Sequence, residues 1–227
     1  MTGRASEPLA RRRGRPRATA RATDLEPREE ILQHAASLFS EQGVGATRLA
    51  DIAASIGVSS PAIYHWFENI DAIVAALLDY VVDESAAFAT AAATAPGTPS
   101  ARLHSLVRQH VERLTSGPYD LWFVAGLSSA ESRRFAAVGR KATQWRRAVA
   151  RLVAEGVDCG ELRPVDPALA LAAVSGLVYG ALQLRHQHGT VDPEEVARLA
   201  VSALARPSSR LPDPPAHRPL DTGERLA

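Results

Sequence analysis

The chain has 227 residues, which suffices for one or two domains with a buried core, and its formal net charge of +1 indicates no particular class of partner. Only 5% of its residues are aromatic and no alternating run of β-branched residues predicts a strand, so we predict an all-α protein. Cys159 is the single cysteine, which excludes an intrachain disulfide, and no apolar segment follows the N-terminal arginines, which argues against an export signal and favours a cytoplasmic location.

Charge is distributed unevenly along the chain. Residues 1–23 contain seven arginines and one glutamate, whereas residues 24–85 contain two arginines and eleven acidic residues. Residues 1–24 are therefore predicted to form a disordered, arginine-rich arm. Its segment RGRPR, with Arg13, Arg15 and Arg17, is kept extended by glycine and proline and resembles an AT-hook core that lies in a narrow minor groove. The alternative is a basic tail with non-specific affinity, and both interpretations predict a polyanionic partner.

The first two predicted helices follow the arm. Apolar residues recur at helical spacing over residues 27–42, and Gly43 ends that pattern. A second helix is predicted over residues 48–55, with Thr47 as its N-cap. The sequence GVS at residues 57–59 then predicts a tight turn into a third helix.

The third predicted helix, residues 60–66 with Ser59 as its N-cap, has two different sides. Helical spacing assigns one set to the interior: Ala62, Ile63, Trp66 and Phe67. It assigns another set to the surface: Ser60, Pro61, Tyr64 and His65. Small residues followed by two polar aromatics suit a helix whose N-terminal part enters a DNA groove. There Pro61 and Ala62 would permit close approach, the Tyr64 hydroxyl would donate to a phosphate, and His65 would donate to a phosphate or a base edge.

Helices are also predicted throughout the rest of the chain up to residue 206. Asn69 is predicted to cap a long helix over residues 70–92, and Ser100 to cap the next, whose apolar stripe includes His110. The remaining predictions are a short apolar helix within residues 119–127, a helix that Gly156 ends, a helix over residues 167–187 opened by Asp166, and a last helix capped by Asp192. Residues 207–227 contain five prolines and no apolar period, and are predicted to be a disordered tail.

The helix predicted at residues 167–187 carries a row of small residues. Its uncharged part, residues 168–184, is shorter than the roughly 20 residues that a membrane span needs and contains polar side chains, so we expect no membrane segment. Ala172, Gly176 and Gly180 recur at intervals of four and would let two helices approach closely. We predict a four-helix interface across the two-fold axis of a homodimer. The alternative is close packing within one chain.

The stretch ILQHAASLFSEQGVGATRLADIAASIGVSSPAIYHWFENIDAI resembles the TetR family of bacterial transcriptional regulators over about residues 27–77. Its spacing of glycine, threonine, the GVS turn and the aromatics carries the resemblance. The resemblance implies a three-helix DNA-binding domain at residues 25–85, with its helix-turn-helix at about 48–67. It also implies a C-terminal helical domain at residues 86–206 that binds an effector and forms the dimer.

The resemblance also implies roles for individual residues of the helix-turn-helix. Thr47 would meet a phosphate through its hydroxyl and the helix N-terminus, beside Arg48. The residues at or in the major groove would be Ser59, Ser60, Pro61 and Ala62, with Tyr64 and His65 gripping the backbone or base edges. Two positions depart from the family pattern: Ala50 and Ile70 stand where many members have a basic residue. Because the block is acidic as well, we expect the arm to supply much of the electrostatic affinity for DNA.

If a dimer binds DNA through its first domain, a ligand of the second domain can control that binding. The sequence predicts a transcriptional regulator, most plainly a repressor that a largely apolar small molecule releases from a palindromic operator; an activator or a constitutive DNA-binding protein is the alternative. The candidate ligand-binding residues are Phe88, His104, Trp122, Phe123, Trp145, Tyr179 and Gln183. The alternative for these residues is ordinary core packing, which is favoured for each of them taken singly. A basic run from Arg133 to Arg151 allows an acidic effector, although a solvated helix face explains it too.

An enzyme is the remote alternative. The seven histidines are scattered, and no HExxH, phosphate-binding loop or nucleophile elbow occurs in the chain. We therefore expect neither catalysis nor a cofactor or metal.

Overall fold

The computed structural model describes residues 25–127 and 135–206, and in these ranges the chain is all-α, as predicted. The predictions for the arm, including Arg13, Arg15 and Arg17, and for residues 207–227 lie outside the described residues. In the described part a single isolated bridge, Leu162 to Ala205, is the one β-type pairing. The helices are α1 Pro27–Gln42, α2 Leu49–Ile56, α3 Ser60–Tyr64, α4 Ile70–Thr94, α5 Pro99–Thr115, α6 Phe123–Gly126, α7 Ala136–Asp158, α8 Pro167–His188 and α9 Pro193–Leu204, with a 3-10 turn at Val44–Ala46.

Helices α1, α2 and α3 form a small unit around a shared apolar core. Phe39 of α1, Ile52 of α2 and Ile63 of α3 are almost fully buried, as the apolar spacing predicts. A side-chain hydrogen bond of 3.1 Å joins His34 Nδ1 to Ser55 Oγ and ties α1 to α2. The start of α4 closes this unit, and Asn69 caps α4 as predicted, its Oδ1 accepting from the Ala72 N–H at 2.9 Å.

The long helix α4 continues into a second, larger helical unit. There α4 packs against α5 and α7, α9 packs against α5, and α8 contacts α5, α7 and α9. Its core is aliphatic, with Leu103, Leu106 and Leu152 essentially inaccessible to solvent. Asp166 and Asp192 cap α8 and α9 through their carboxylates, as the sequence predicts.

The structure corrects two predicted helix ends in the second unit. Thr98, not Ser100, caps α5 by accepting from the Ala101 N–H, and the Ser100 hydroxyl instead donates to Glu161 at 2.5 Å. Gly156 does not end α7, which continues to Asp158. A side chain at position 156 would meet Leu162 at 2.7 Å, so this glycine serves close packing rather than termination.

The short helix α6 joins the two units. The Phe123 ring meets the Phe39 ring edge to face, with 5.4 Å between centroids. The Ser40 hydroxyl of α1 donates to the Asp120 carbonyl at 3.2 Å and accepts from the Phe123 N–H at 3.1 Å. The segment from Asp120 to Phe123 is thus fastened to α1 by both hydrogen bonding and ring packing.

Helix α8 buries only part of its apolar surface. Among the described residues it is the one helix long and apolar enough to cross a membrane by length and composition, and 28% of its most apolar window is buried. One side packs through Val174, Val178 and Leu182 against its neighbours. The other side is left open, and Leu169 and Leu184 there are 61% and 45% exposed.

Candidate DNA-binding surface and ligand cavity

A left-handed glycine sets the direction of α3. Gly57 has φ +78° and ends α2, where the Val58 N–H returns to the Ala53 carbonyl at 2.9 Å. Residues other than glycine rarely adopt this conformation, because their Cβ crowds the backbone. The tight turn brings α3 back against α2.

The inner side of α3 anchors it to the core. Ile63 is 0% exposed and Phe67, just after the helix, is 5% exposed. The Arg28 guanidinium from the start of α1 lies over the Phe67 ring, 5.3 Å from its centroid. The entry of the chain into α1 and the end of α3 are therefore neighbours.

The outer side of α3 is open to solvent. Tyr64 is 59% exposed, and Ser59, Pro61 and His65 are also exposed, whereas Ser60 is partly so. None of these residues is held by a partner on the body of the protein within the described residues. The predicted surface is thus available to a ligand as large as a DNA duplex.

Two residues predicted to lie inside are on the surface instead. Ala62 is exposed and Trp66 is 43% exposed, with its ring against His65 at 5.3 Å between centroids. Helix α3 ends at Tyr64, so the spacing of 100° per residue no longer applies at position 66. Trp66 adds an aromatic group to this surface that the sequence reasoning placed in the core.

The predicted N-cap of α2 is also corrected, whereas the phosphate contact of Thr47 stays a prediction. Arg48 occupies the N-cap of α2, and its backbone N–H donates to the Asp51 carboxylate at 2.8 Å. Thr47 is 5% exposed; its hydroxyl donates to the Gly43 carbonyl at 2.9 Å and accepts from the Gln42 amide at 3.1 Å. These internal partners give Thr47 a structural role, and leave exposed Arg48 as the cation beside the start of α2.

A cavity of about 220 Å³ lies in the second unit, between α4, α5, α6, α7 and α8. Trp145 and Tyr179 line it, as predicted, and the rest of the lining is mainly aliphatic. The lining residues are Leu78, Val81, Val82, Ser85, His110, Leu114, Val124, Leu127, Phe135, Trp145, Arg146, Ser175, Val178, Tyr179 and Leu182. Such an apolar chamber with a few polar groups is typical of small-molecule sites.

The polar groups of the cavity are organised around His110. The Ser85 hydroxyl donates to the Val81 carbonyl at 2.6 Å and lies 2.7 Å from His110 Nδ1. Because that hydroxyl has only one proton, His110 Nδ1 must donate to it. Burial lowers the pKa of His110 from 6.5 to about 4, so the ring is neutral near pH 7. The Trp145 ring stacks on it, with 4.5 Å between centroids.

Five predicted cavity residues lie elsewhere. His104 Nε2 pairs with Glu194 at 3.2 Å, and Gln183 is exposed on the open side of α8. Phe123 packs on α1, and Trp122 stacks on His186 with 6.2 Å between centroids. Phe88 lines a separate surface depression beside Arg113. Helical spacing alone does not show which side of a helix faces the cavity and which side packs on another helix, because each helix of this unit has several neighbours.

Ser85 and His110 are cavity residues that the sequence reasoning did not assign to the site. The available signal was a hydroxyl within the otherwise apolar stripe of α4, facing a histidine within the stripe of α5. A buried polar side chain needs a partner, and these two satisfy one another.

The predicted row of small residues on α8 lies on its open side. Ala172 and Gly176 are exposed, and a Cβ added to Gly176 or Gly180 would meet nothing within 4 Å. The alternative of close packing within one chain is therefore wrong for both glycines. Among the described residues no group of three or more histidine, cysteine or acidic side chains is placed to hold a metal ion.

Two family models match the chain. Residues 31–77 match the model of bacterial regulatory proteins of the tetR family, and residues 96–207 match that of the tetracyclin repressor-like C-terminal domain. A curated relative, the HTH-type transcriptional repressor KstR2 of Mycolicibacterium smegmatis, is 39% identical over 56 residues, which make up 25% of this chain and 27% of that repressor. The chain thus matches about a quarter of the length of this relative.

Solved structures resemble the chain over most of its length. Mycobacterium smegmatis AmtR superposes with a TM-score of 0.72 at 29% identity, covering 84% of this chain and 92% of AmtR. A TetR/AcrR family regulator from Thermobifida fusca is 31% identical, with a TM-score of 0.51 and coverage of 81% and 98%. With matches in both units and a helix-turn-helix that exposes its third helix, the chain belongs to the TetR family of bacterial transcriptional regulators.

Proposed function

We propose that the protein is a dimeric, ligand-responsive repressor that leaves a palindromic operator when a small molecule fills its cavity. Residues 25–85 form its DNA-binding domain, and residues 86–206 its effector-binding and dimerisation domain. The observation that carries the proposal is the division of α3 into a buried anchor, Ile63 with Phe67, and an exposed side with Tyr64 and His65. A recognition helix needs both properties.

The exposed side of α3 supplies the proposed DNA contacts. Pro61 and Ala62 are small enough for close approach to the floor of the major groove, where a thymine methyl is an apolar partner. Ser59 and Ser60 lie at the start of this side. Tyr64 and His65 carry donors suited to phosphates or base edges, and exposed Arg48 adds a positive charge at the start of α2.

The position of Arg28 supports a role for the N-terminal arm. Arg28 lies over Phe67, so the chain enters α1 beside the end of α3. A basic segment that precedes residue 25 is therefore attached close to the proposed DNA surface. Since residues 24–85 are acidic, Arg13, Arg15 and Arg17 are the cations best placed along the sequence to neutralise phosphates.

The open side of α8 supports the homodimer. Leu169, Tyr179 and Leu184 of α8 and Leu199 of α9 are exposed apolar residues, 45% to 61% accessible, and α8 also carries the small residues Ala172, Gly176 and Gly180. An apolar surface of this kind is unfavourable in water, and small residues admit a second helix closely. A second copy of α8 and α9 would complete a four-helix interface and present two α3 helices to half-sites roughly 34–36 Å apart, or a multiple of that.

Helix α6 provides a route from the cavity to the DNA-binding domain. Val124 and Leu127 line the cavity, whereas Phe123, their close neighbour in sequence, packs against Phe39 of α1. A ligand that displaces α6 would therefore disturb α1 directly, in addition to any change along α4. The two conformations need a differential affinity of several kcal/mol for effective release.

Selection of bound duplexes from a random pool tests the proposal. We expect a palindromic site with two half-sites, and repression of a promoter that carries this site in a reconstituted transcription assay. Recovery of no preferred duplex would overturn the assignment as an operator-binding regulator. Stimulated transcription would identify an activator with the same DNA surface.

Substitutions on α3 connect the selected site to the proposed surface. Tyr64→Phe and His65→Ala should each weaken operator binding about tenfold, because each removes one hydrogen-bond donor near the backbone or a base. His104→Ala on α5 is the matched control, since it removes a partly exposed imidazole far from α3. Fluorescence anisotropy at constant salt measures all three, and equal affinities would remove α3 from the interface.

A further inference from the structure

Resting on the proposed function, we infer that the cavity selects an uncharged, compact, apolar molecule that carries one hydroxyl group, with the hydroxyl donating its proton to His110 Nε2. The inference concerns the chemical class of the effector. It depends on three features of the cavity: the fixed tautomer of His110, an indole N–H without an acceptor, and the absence of any other charge than Arg146 in the described lining.

The tautomer of His110 follows from its contact with Ser85. Ser85 Oγ must give its one proton to the Val81 carbonyl, so Nδ1 of His110 carries the ring proton. The other nitrogen, Nε2, is then a bare acceptor. His110 lines the cavity, and its hydrogen bond among the described residues is the one from Nδ1 to Ser85. The cavity thus offers a donor-bearing ligand a bare imidazole acceptor of fixed tautomer, in addition to the hydroxyl groups of Ser175 and Tyr179.

Trp145 supplies the second polar group. Its Nε1 is buried and has no hydrogen-bond partner among the described residues, which is costly for an N–H group. The indole stacks on His110, with the two ring planes 30° apart. A hydroxyl has both a proton to donate and lone pairs to accept, so one such group can donate to His110 Nε2 and still accept from an N–H donor such as the unpartnered indole.

The described part of the remaining wall is unfavourable for a charged group in the interior. It is built mainly from leucine and valine, and a carboxylate placed among them would lose its hydration without a cation beside it. Arg146 is exposed, so its guanidinium remains solvated. A volume of about 220 Å³ exceeds the roughly 150 Å³ of an apolar cavity known to hold benzene, and so suits two fused rings.

Four naphthalenes of similar size test the inference on the full-length protein by calorimetry. We expect 2-naphthol to bind about tenfold more tightly than naphthalene or 2-methoxynaphthalene, neither of which donates a hydrogen bond. 2-Naphthoate should bind more weakly still. The inference would be overturned if 2-naphthol and 2-methoxynaphthalene bound with equal affinity, or if 2-naphthoate bound more tightly than 2-naphthol. Absence of binding by all four compounds would overturn it as well.

Three variants assign the preference to the named groups. His110→Phe should abolish the advantage of 2-naphthol over naphthalene, and Trp145→Phe should reduce that advantage. Ser85→Ala frees Nδ1, so His110 can present either tautomer and the discrimination between naphthol and methoxynaphthalene should shrink. Persistence of the full preference in His110→Phe contradicts the assignment even if that variant is less stable, because binding of naphthalene reports an intact cavity.

Operator binding is measured separately, so the two proposals fail in different ways. Selective binding of 2-naphthol without a change in operator affinity would retain the cavity chemistry and refute ligand-controlled release. Release of the operator by 2-naphthoate rather than 2-naphthol would support ligand-controlled release and contradict the proposed preference for an uncharged hydroxyl compound.

Discussion

The protonation and orientation of a single side chain in this protein depend on its neighbours, and His110 is the clearest case. In the sequence it lies within an apolar stripe of α5, and this pattern predicts an ordinary core residue. The fold sets it between Ser85 and Trp145 at the wall of a cavity, with a pKa lowered to about 4 by burial. A neutral, oriented imidazole is the result.

The lowered pKa of His110 predicts a loss of stability in mild acid. Between pH 6.5 and about 4 the unfolded chain binds a proton at this residue that the native protein does not, so stability present above pH 6.5 declines as the pH falls. The loss reaches about 3 kcal/mol near pH 4, at roughly 1.4 kcal/mol for each pKa unit. Urea unfolding at several pH values measures it.

His110→Gln is the control for this pH dependence. Glutamine does not titrate, so the difference between the wild type and the variant should itself vary with pH between 6.5 and 4. Parallel stability curves for the two proteins would show that another group is responsible.

The turn between α2 and α3 illustrates how a whole element depends on one backbone conformation. Gly57 has φ +78°, whereas Gly45 in the preceding 3-10 turn has an ordinary φ, and an added Cβ would meet nothing within 4 Å at either position. We expect Gly57→Ala to destabilise the protein by about 1 kcal/mol and Gly45→Ala by less than about 0.5 kcal/mol. Chemical denaturation measures both, and equal effects would show that the conformation at Gly57 is not what matters.

Helix α6 belongs both to the cavity wall and to the contact with α1. Phe123→Leu keeps an apolar side chain but removes the ring contact with Phe39, and Val124 and Leu127 remain at the cavity. We expect the variant to bind a cavity ligand with unchanged affinity, while the ligand-induced loss of operator affinity falls severalfold. Paired calorimetry and anisotropy measure the two quantities.

Phe88→Leu is a matched control for this variant, because Phe88 is a half-buried aromatic of α4 that lies away from both the cavity and α1. If the ligand lowered the operator affinity of Phe123→Leu as much as that of the wild type, α6 would be excluded as the connection and α4 would remain as the route.

At the scale of the whole molecule, the open side of α8 decides the assembly. Gly176→Leu places a side chain where the single chain has free space, so the monomer should tolerate it and gain helix propensity. A second copy packed against this row would clash with the leucine, and we expect sedimentation to show a monomer with weakened operator binding. Ala91→Leu, at an exposed position of α4, is the control and should remain dimeric.

The uneven distribution of charge along the chain affects DNA binding by the whole molecule. Replacing the seven arginines of residues 1–23 with glutamine should lower operator affinity and flatten its dependence on salt, with roughly 0.9 of slope lost for each phosphate contact removed. Anisotropy titrations between low and moderate salt give the slope. An unchanged slope would mean that the helix-turn-helix block binds DNA without help from the arm, in spite of its acidic residues.

The sequence by itself determined the helices and the character of α3. Apolar spacing and capping residues predicted α1, α4, α8 and α9 closely, because periodicity and caps are local properties of the chain. The same signals failed at Thr47 and Ser100, where a neighbouring residue takes the cap, and at Trp66, where α3 has already ended.

Only the tertiary structure decided which aromatic and polar residues share the cavity. Trp145 and Tyr179 line the cavity, whereas Phe88, His104, Trp122, Phe123 and Gln183 lie on other faces. Ser85 and His110 are 25 residues apart in the chain and meet at 2.7 Å. Contacts between helices depend on how each rotates and crosses its neighbours, and that geometry arises from the packing of all the helices together rather than from any one segment.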